Sequence, residues 1–228
     1  MITASLRGSA HRPTRALLAG GVLAPFVYVG TDVAASLLFP GYSFTGQAPS
    51  ELFAIGAPTS PLVVPLFSLS SALLTAFAVG VWHSAGGRRL LQILACLIAA
   101  NGIDSLALWT LFPMHMRGAP PTFTDKMHLI LAVNPFVLLS LALGAMAFRS
   151  WFRRYSIATI VILVAMATIA FSYVPAATAN QPTPWLGLTE RISQYAHQVW
   201  HATLGVVLLR RAPDRGGVQP ALDAAGRF

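Results

Sequence analysis

The stretch PLVVPLFSLSSALLTAFAVGVW, residues 61–82, contains no acidic, basic or histidine side chain. About 20 mainly apolar residues suffice to cross the hydrocarbon core of a bilayer, so this run predicts a membrane-spanning helix. A tight basic turn, 83–89, follows it, and a second apolar run occupies 90–112. Upstream, a polar segment at 40–60 with proline and glycine separates it from another apolar run at 16–39. Three further runs are read at 125–148, at 155–174 and from the end of a polar loop (175–191) to Leu209. The fold expected is all-α, a polytopic transmembrane bundle of six helices with both termini cytoplasmic. Residues 1–16 form a cytoplasmic tail, 17–211 the six-span domain, and 212–228 a disordered cytoplasmic tail holding Pro213, Gly216, Gly217 and Pro220. The first run is too long for a signal-peptide core of about 7–15 residues, so it is read as an uncleaved span.

Composition agrees. Hydrophobic residues make up 55% of the chain and charged residues 10%, against about 25% charged in soluble domains. A net charge of +8 would suggest nucleic acid in a soluble protein. Here the basic residues flank apolar runs, and neither a helix-turn-helix nor a zinc-knuckle spacing occurs, so no nucleic-acid partner is expected. With the N-terminus inside, the inner segments hold Arg7, Arg12, Arg15, Arg88, Arg89, Arg149, Arg153, Arg154, Arg210, Arg211, Arg215 and Arg227. Arg117, Lys126 and Arg191 remain outside, an asymmetry that sets the orientation by the positive-inside rule. The expected location is the inner or plasma membrane, with membrane lipids as partners. Cys96, the single cysteine, is read as a small buried hydrophobe. Pro25, Pro65 and Pro135 are read as kinks within continuous spans. Trp82, Trp109, Trp151 and Trp185 suit an aromatic belt.

Ionisable residues inside spans cost about 2.5–3.5 kcal/mol at a helix centre on insertion scales, so they face the bundle interior and find partners. Asp32 and Asp104 fall in the outer halves of the first and third spans, and His128 one turn below the outer end of the fourth. In the sixth, Glu190, Gln194, His197 and His201 recur on one helical stripe. Two readings stand. The groups satisfy one another as packing glue, or they line a ligand, proton or metal site. In the metal alternative Asp104, His128, His197 and His201 bind zinc, which activates water for hydrolysis; otherwise no cofactor is expected. The outer loops add Ser50, Glu51, Arg117, Glu190 and Arg191. These form exposed ion pairs, Glu51–Arg117 and Glu190–Arg191, or hold an anionic headgroup in an arginine fork.

Three stretches resemble the bacterial and archaeal membrane family called domain of unknown function 998. They are Phe39-Pro-Gly-Tyr-Ser with Ser50-Glu51-Leu and Gly56-Ala-Pro; Phe112-Pro113, Arg117-Gly118 and Thr124-Asp-Lys-Met-His128; and Gly187-Leu-Thr-Glu190-Arg191-Ile with Trp200 and a closing basic pair. The resemblance implies a six-span bundle and no particular activity. It implies that Ser50, Glu51, Arg117, His128, Glu190 and Arg191 belong to the family's pattern, and it does not include His197 or His201. His-x-x-x-His in a late span, with an aspartate on another, is also similar to the ceramidase and adiponectin-receptor hydrolases. That group has seven spans and an early Ser/His motif, which this chain lacks. The function expected is recognition or passage of a small polar or lipid-headgroup ligand at the extracytoplasmic face, through Asp32, Ser50, Glu51, Asp104, Arg117, His128, Glu190 and Arg191. A metal-dependent intramembrane hydrolase is one alternative. The other is a scaffold that docks other membrane proteins through small residues such as Gly20, Ala95 and Ala99.

Overall fold

The computed structural model describes residues 11–149 and 151–211. Its elements are α1 (His11–Leu38), a 3-10 turn (Pro49–Phe53), α2 (Ser60–Ser84), α3 (Arg89–Leu111), α4 (Phe123–Val133), α5 (Pro135–Ala147), α6 (Trp151–Ser172), the short α7 (Val174–Thr178) and α8 (Leu186–Arg211). Among the described residues there is no strand, only an isolated bridge between Ile55 and His115. The expected tail at 212–228 lies outside the described residues, as do residues 1–10. The first helix starts at His11 and so takes in the end of the segment read as a tail.

Five segments are long and apolar enough to cross a membrane: Pro13–Leu38, Ser60–Ser84, Arg89–Leu111, Phe123–Ala147 and Trp151–Thr178, with mean hydropathies of 1.6 to 2.4. Their outward faces carry large apolar side chains in the open. Phe26 is 72% exposed, Leu37 84% and Ile130 61%, a surface that suits lipid and not water. The sixth helix, α8, has 26 residues, about 39 Å at 1.5 Å per residue. It is less apolar than the others because one stripe of it is polar, and that stripe faces inward.

These five segments and α8 close into a ring. α1 lies along α2, α2 on α3, α3 on α5, α5 on α6, α6 on α8, and α8 returns to α1. Gly20 makes the first contact close, since a Cβ there would stand 2.6 Å from the Leu73 carbonyl oxygen. This small residue is thus used inside the chain. One half of the ring is a continuous apolar core around Leu18, Phe77, Leu94, Ile98, Leu141 and Trp200. The other half, towards the long loops, holds an aromatic cluster of Tyr28, Phe53, Phe67 and Trp109.

The fourth span differs from expectation. Pro135 does not merely kink it. Proline supplies no N–H to continue the helix, and Asn134 turns into the left-handed region at φ 34°, a conformation asparagine tolerates better than most residues. The helix is therefore divided into α4 and α5. Pro25 and Pro65, by contrast, stay within continuous helices. The break is held by a chain of amides. Asn134 Nδ2 donates to Asn101 Oδ1 at 2.8 Å, and Asn101 Nδ2 approaches His197 Nε2 at 3.4 Å. α5 joins the ring, whereas α4 stays with α3 and does not pack along α6. A gap follows between the outer halves of α4 and α6.

Two smaller expectations are corrected. Cys96 is exposed on the outer face of α3 instead of buried. Trp109 is 8% exposed and belongs to the aromatic cluster, while Trp82, Trp151 and Trp185 are exposed near span ends as a belt requires.

Candidate functional site

Two ion pairs organise the loop end of the ring. Arg191, on α8, is 1% exposed and Asp32, on α1, is 0% exposed. Arg191 Nε donates to Asp32 Oδ2 at 2.8 Å and Nη2 to Oδ1 at 2.9 Å, a two-pronged pair. Nη2 also reaches Ser36 Oγ and Tyr42 Oη, and Nη1 donates to the carbonyls of Phe44 and Gln47. The Tyr195 hydroxyl donates to Asp32 Oδ2. Every edge of the guanidinium is satisfied. Arg191 pairs with Asp32 across the bundle and not with its neighbour Glu190, which corrects the expected Glu190–Arg191 pair. The first loop wraps this arginine because Gly187 lets it approach. A Cβ at Gly187 would stand 2.2 Å from the Gln47 carbonyl oxygen and 2.6 Å from that of Phe44.

The second pair, Glu51–Arg117, forms as expected but is not exposed. Glu51 is 1% exposed. Its Oε2 accepts from Arg117 Nε at 2.8 Å and from Gln47 Nε2 at 2.9 Å; its Oε1 accepts from Arg117 Nη2 at 2.6 Å and from the Ala48 N–H at 3.0 Å. Arg117 Nη1 and Nη2 continue to Thr183 Oγ1 and the Gly46 carbonyl, so three loops meet at one guanidinium. The hydrogen bonds to Glu51 hold Arg117 above its ordinary value. In the same loops, desolvation pushes the Tyr42 phenol up and keeps it a donor to the Gln47 and Ala48 carbonyls.

Beneath these clasps lies a cavity in two lobes. The inner lobe, about 440 Å³, sits within the ring, walled by Tyr28, Phe53, Phe67 and Trp109 and floored by Asn101, Asn134 and His197. The outer lobe, about 210 Å³, lies under the loops beside Glu51, His115, Arg117 and Lys126. Ser50, His128, Ala132, Ala167, Glu190 and Ser193 line both, so the lobes share a neck. His128 Nδ1 lies 2.8 Å from the Phe112 carbonyl, which can only accept. The proton is therefore on Nδ1, and in the neutral ring Nε2 is an acceptor. Glu190 makes no hydrogen bond or ion pair with any described residue.

The sequence-derived residues thus divide. Ser50, His128 and Glu190 meet at the neck, with Glu51 and Arg117 bordering the outer lobe. Asp32 and Arg191 form the separate buried pair and line neither lobe. Asp104 also lines neither, and one of its buried carboxylate oxygens has no partner. The α8 stripe is real: Glu190, Gln194 and His197 face the inner lobe. His201 continues the stripe into the apolar core, where its ring lies edge-on to Phe77 and 4.4 Å, centroid to centroid, from His197. Among the described residues no three His, Cys, Asp or Glu side chains group as metal ligands, so Asp104, His128, His197 and His201 are not brought to one point. Sequence reasoning missed Asn134, Ser193 and the aromatic wall. An Asn-Pro step in mid-span was the available signal for the first.

A closed ring of apolar helices with an inward polar stripe defines an integral, multi-pass membrane protein. The chain matches, over residues 22–207, the family described as protein of unknown function (DUF998), and it belongs to that family. No curated protein and no solved structure matches it.

Proposed function

We propose that the protein binds a small polar molecule or lipid headgroup in the two-lobed cavity, at the extracytoplasmic side of the membrane. The supporting observation is the neck, where Ser50, His128, Glu190 and Ser193 line both lobes and the Glu190 carboxylate makes no hydrogen bond or ion pair with any described residue. Packing glue accounts for Asp32, Glu51, Arg117 and Arg191, whose bonds are complete, but not for Glu190. The distribution of basic residues supports that side: the end of the ring beside the cavity holds Arg117, Lys126 and Arg191, and the other end holds Arg88, Arg89, Arg149, Arg153, Arg154, Arg210 and Arg211. Both arginine forks are occupied by carboxylates, so the clasps serve to close the site and not to read an anion.

Ala132 and Ala167 keep the neck open from opposite helices. Ala167→Phe is expected to plug it without loss of folding, because the position is only half-buried. Thermal unfolding of protein in uncharged micelles would be followed with ethanolamine, choline, inorganic phosphate and a dodecyl derivative of each. At least one of these should stabilise the wild type, and Ala167→Phe should abolish that shift. An unshifted wild type, or an equal shift in the variant, would contradict the reading.

A further inference from the structure

We infer that the ligand's polar end is a protonated amine carried on an alkyl chain, and that the molecule reaches the cavity sideways from the bilayer between α4 and α6. This rests on the cavity being a binding site and adds the chemical class of what binds. The first observation is a census of charge. Of the residues lining the inner lobe, Glu190 alone belongs to the Asp, Glu, Lys and Arg set. In the outer lobe Glu51 and Arg117 neutralise each other, and Asp125 is held by His115 and Thr122. Lys126 lines the outer lobe but is exposed at its rim, away from the inner one. The inner lobe and neck therefore hold one acidic side chain and no lysine or arginine.

The second observation is the kind of hydrogen-bonding atom left over. His128 Nε2 is an acceptor, because its other nitrogen is committed to the Phe112 carbonyl. Asn134 Oδ1 is buried without a partner, because the amide nitrogen of that residue is spent on Asn101. Together with the Glu190 carboxylate these acceptors outnumber the one unpartnered N–H on the same wall, that of Trp109, and an ammonium N–H group satisfies several of them at once. The aromatic wall of Tyr28, Phe53, Phe67 and Trp109 suits the same charge, since ring faces attract cations. An anionic headgroup would instead meet Glu190 unpaired in a water-poor pocket.

The third observation is the route. The inner lobe extends between Ala132 and Val133 of α4 and Val164, Ala167 and Thr168 of α6. Those two helices do not pack along each other, because the break at Asn134 leaves α4 with α3. Ala132, Val133, Val164 and Thr168 are exposed, so the gap opens on the lipid-facing surface. A site with an acceptor-rich interior and an apolar slot to the bilayer fits an amphiphile of one positive head and one chain.

Calorimetric titration of the purified protein in uncharged micelles, with dodecylammonium, dodecyl sulfate, dodecanol and methylammonium, tests this. Dodecylammonium is expected to bind more tightly than the other three. Glu190→Gln should weaken it at least about thirtyfold, the lower end of what losing one member of a desolvated charge pair costs, and Glu190→Lys should abolish it and admit dodecyl sulfate. If the sulfate or alcohol binds as well as the amine and Glu190→Gln changes nothing, the amine assignment falls while the cavity still binds. If methylammonium binds as tightly as its dodecyl analogue, the route through the bilayer falls. Should none of the four probes bind, the cavity itself is not a site for them and both readings fall.

Discussion

Asp32→Ala is expected to destabilise the folded protein by about 3–5 kcal/mol, the range for removing one partner of a buried pair. The reason is what the substitution strands. Arg191 is 1% exposed and keeps only neutral hydrogen-bond partners, the carbonyls of Phe44, Gln47 and Gly187 and the hydroxyls of Ser36 and Tyr42. Those dipoles solvate a guanidinium but do not neutralise it. The Tyr195 hydroxyl loses its acceptor as well. Replacing both charged residues, Asp32→Leu with Arg191→Met, should recover most of the loss, because a well-packed apolar pair often equals a buried ion pair. Denaturant unfolding in micelles reads both variants. A loss under about 1 kcal/mol for Asp32→Ala would show that water reaches Arg191.

Glu51→Ala should cost less, about 2–3 kcal/mol, although Glu51 itself is just as buried. Here the stranded partner is Arg117, whose side chain is 18% exposed and can turn to water. The Ala48 N–H and Gln47 amide lose their acceptor, so the first loop should loosen before the helices do. Limited proteolysis within residues 40–59 should therefore quicken in Glu51→Ala well before the unfolding transition, and quicken less in Glu51→Gln. Equal proteolysis of wild type and Glu51→Ala would mean that the three loops are tied by something other than this carboxylate.

The spans were legible because apolar length is a one-dimensional property: residues 61–82 predict a helix, and Ser60–Ser84 is one. The stripe on α8 was legible for a similar reason, since a helix converts spacing into direction. Partners were not. Arg191 has Glu190 beside it in sequence, yet adjacent residues on a helix point about 100° apart, and its carboxylate comes from α1, 159 positions away. The depth of Glu51 was misjudged because a loop rich in Pro and Gly reads as solvated. Three loops closing over it remove the water, and no local signal announces that. The cavity was the least visible feature. It depends on α4 leaving the ring after Asn134, and whether a proline kinks or breaks a span is decided by what its neighbours can satisfy, here the side chain of Asn101 on another helix.

Ser193 lines both lobes from α8, and its exchange for cysteine is nearly isosteric. In a Cys96→Ala background, which removes the chain's single native thiol, Ser193→Cys places one reactive group at the neck. Alkylation rates with a cationic and an anionic methanethiosulfonate, with and without dodecylammonium, measure whether a reachable, negatively charged binding cavity exists. Faster reaction with the cationic reagent and protection by dodecylammonium are expected. A thiol that neither reagent modifies in the folded protein, or that both modify equally with no protection, would contradict it.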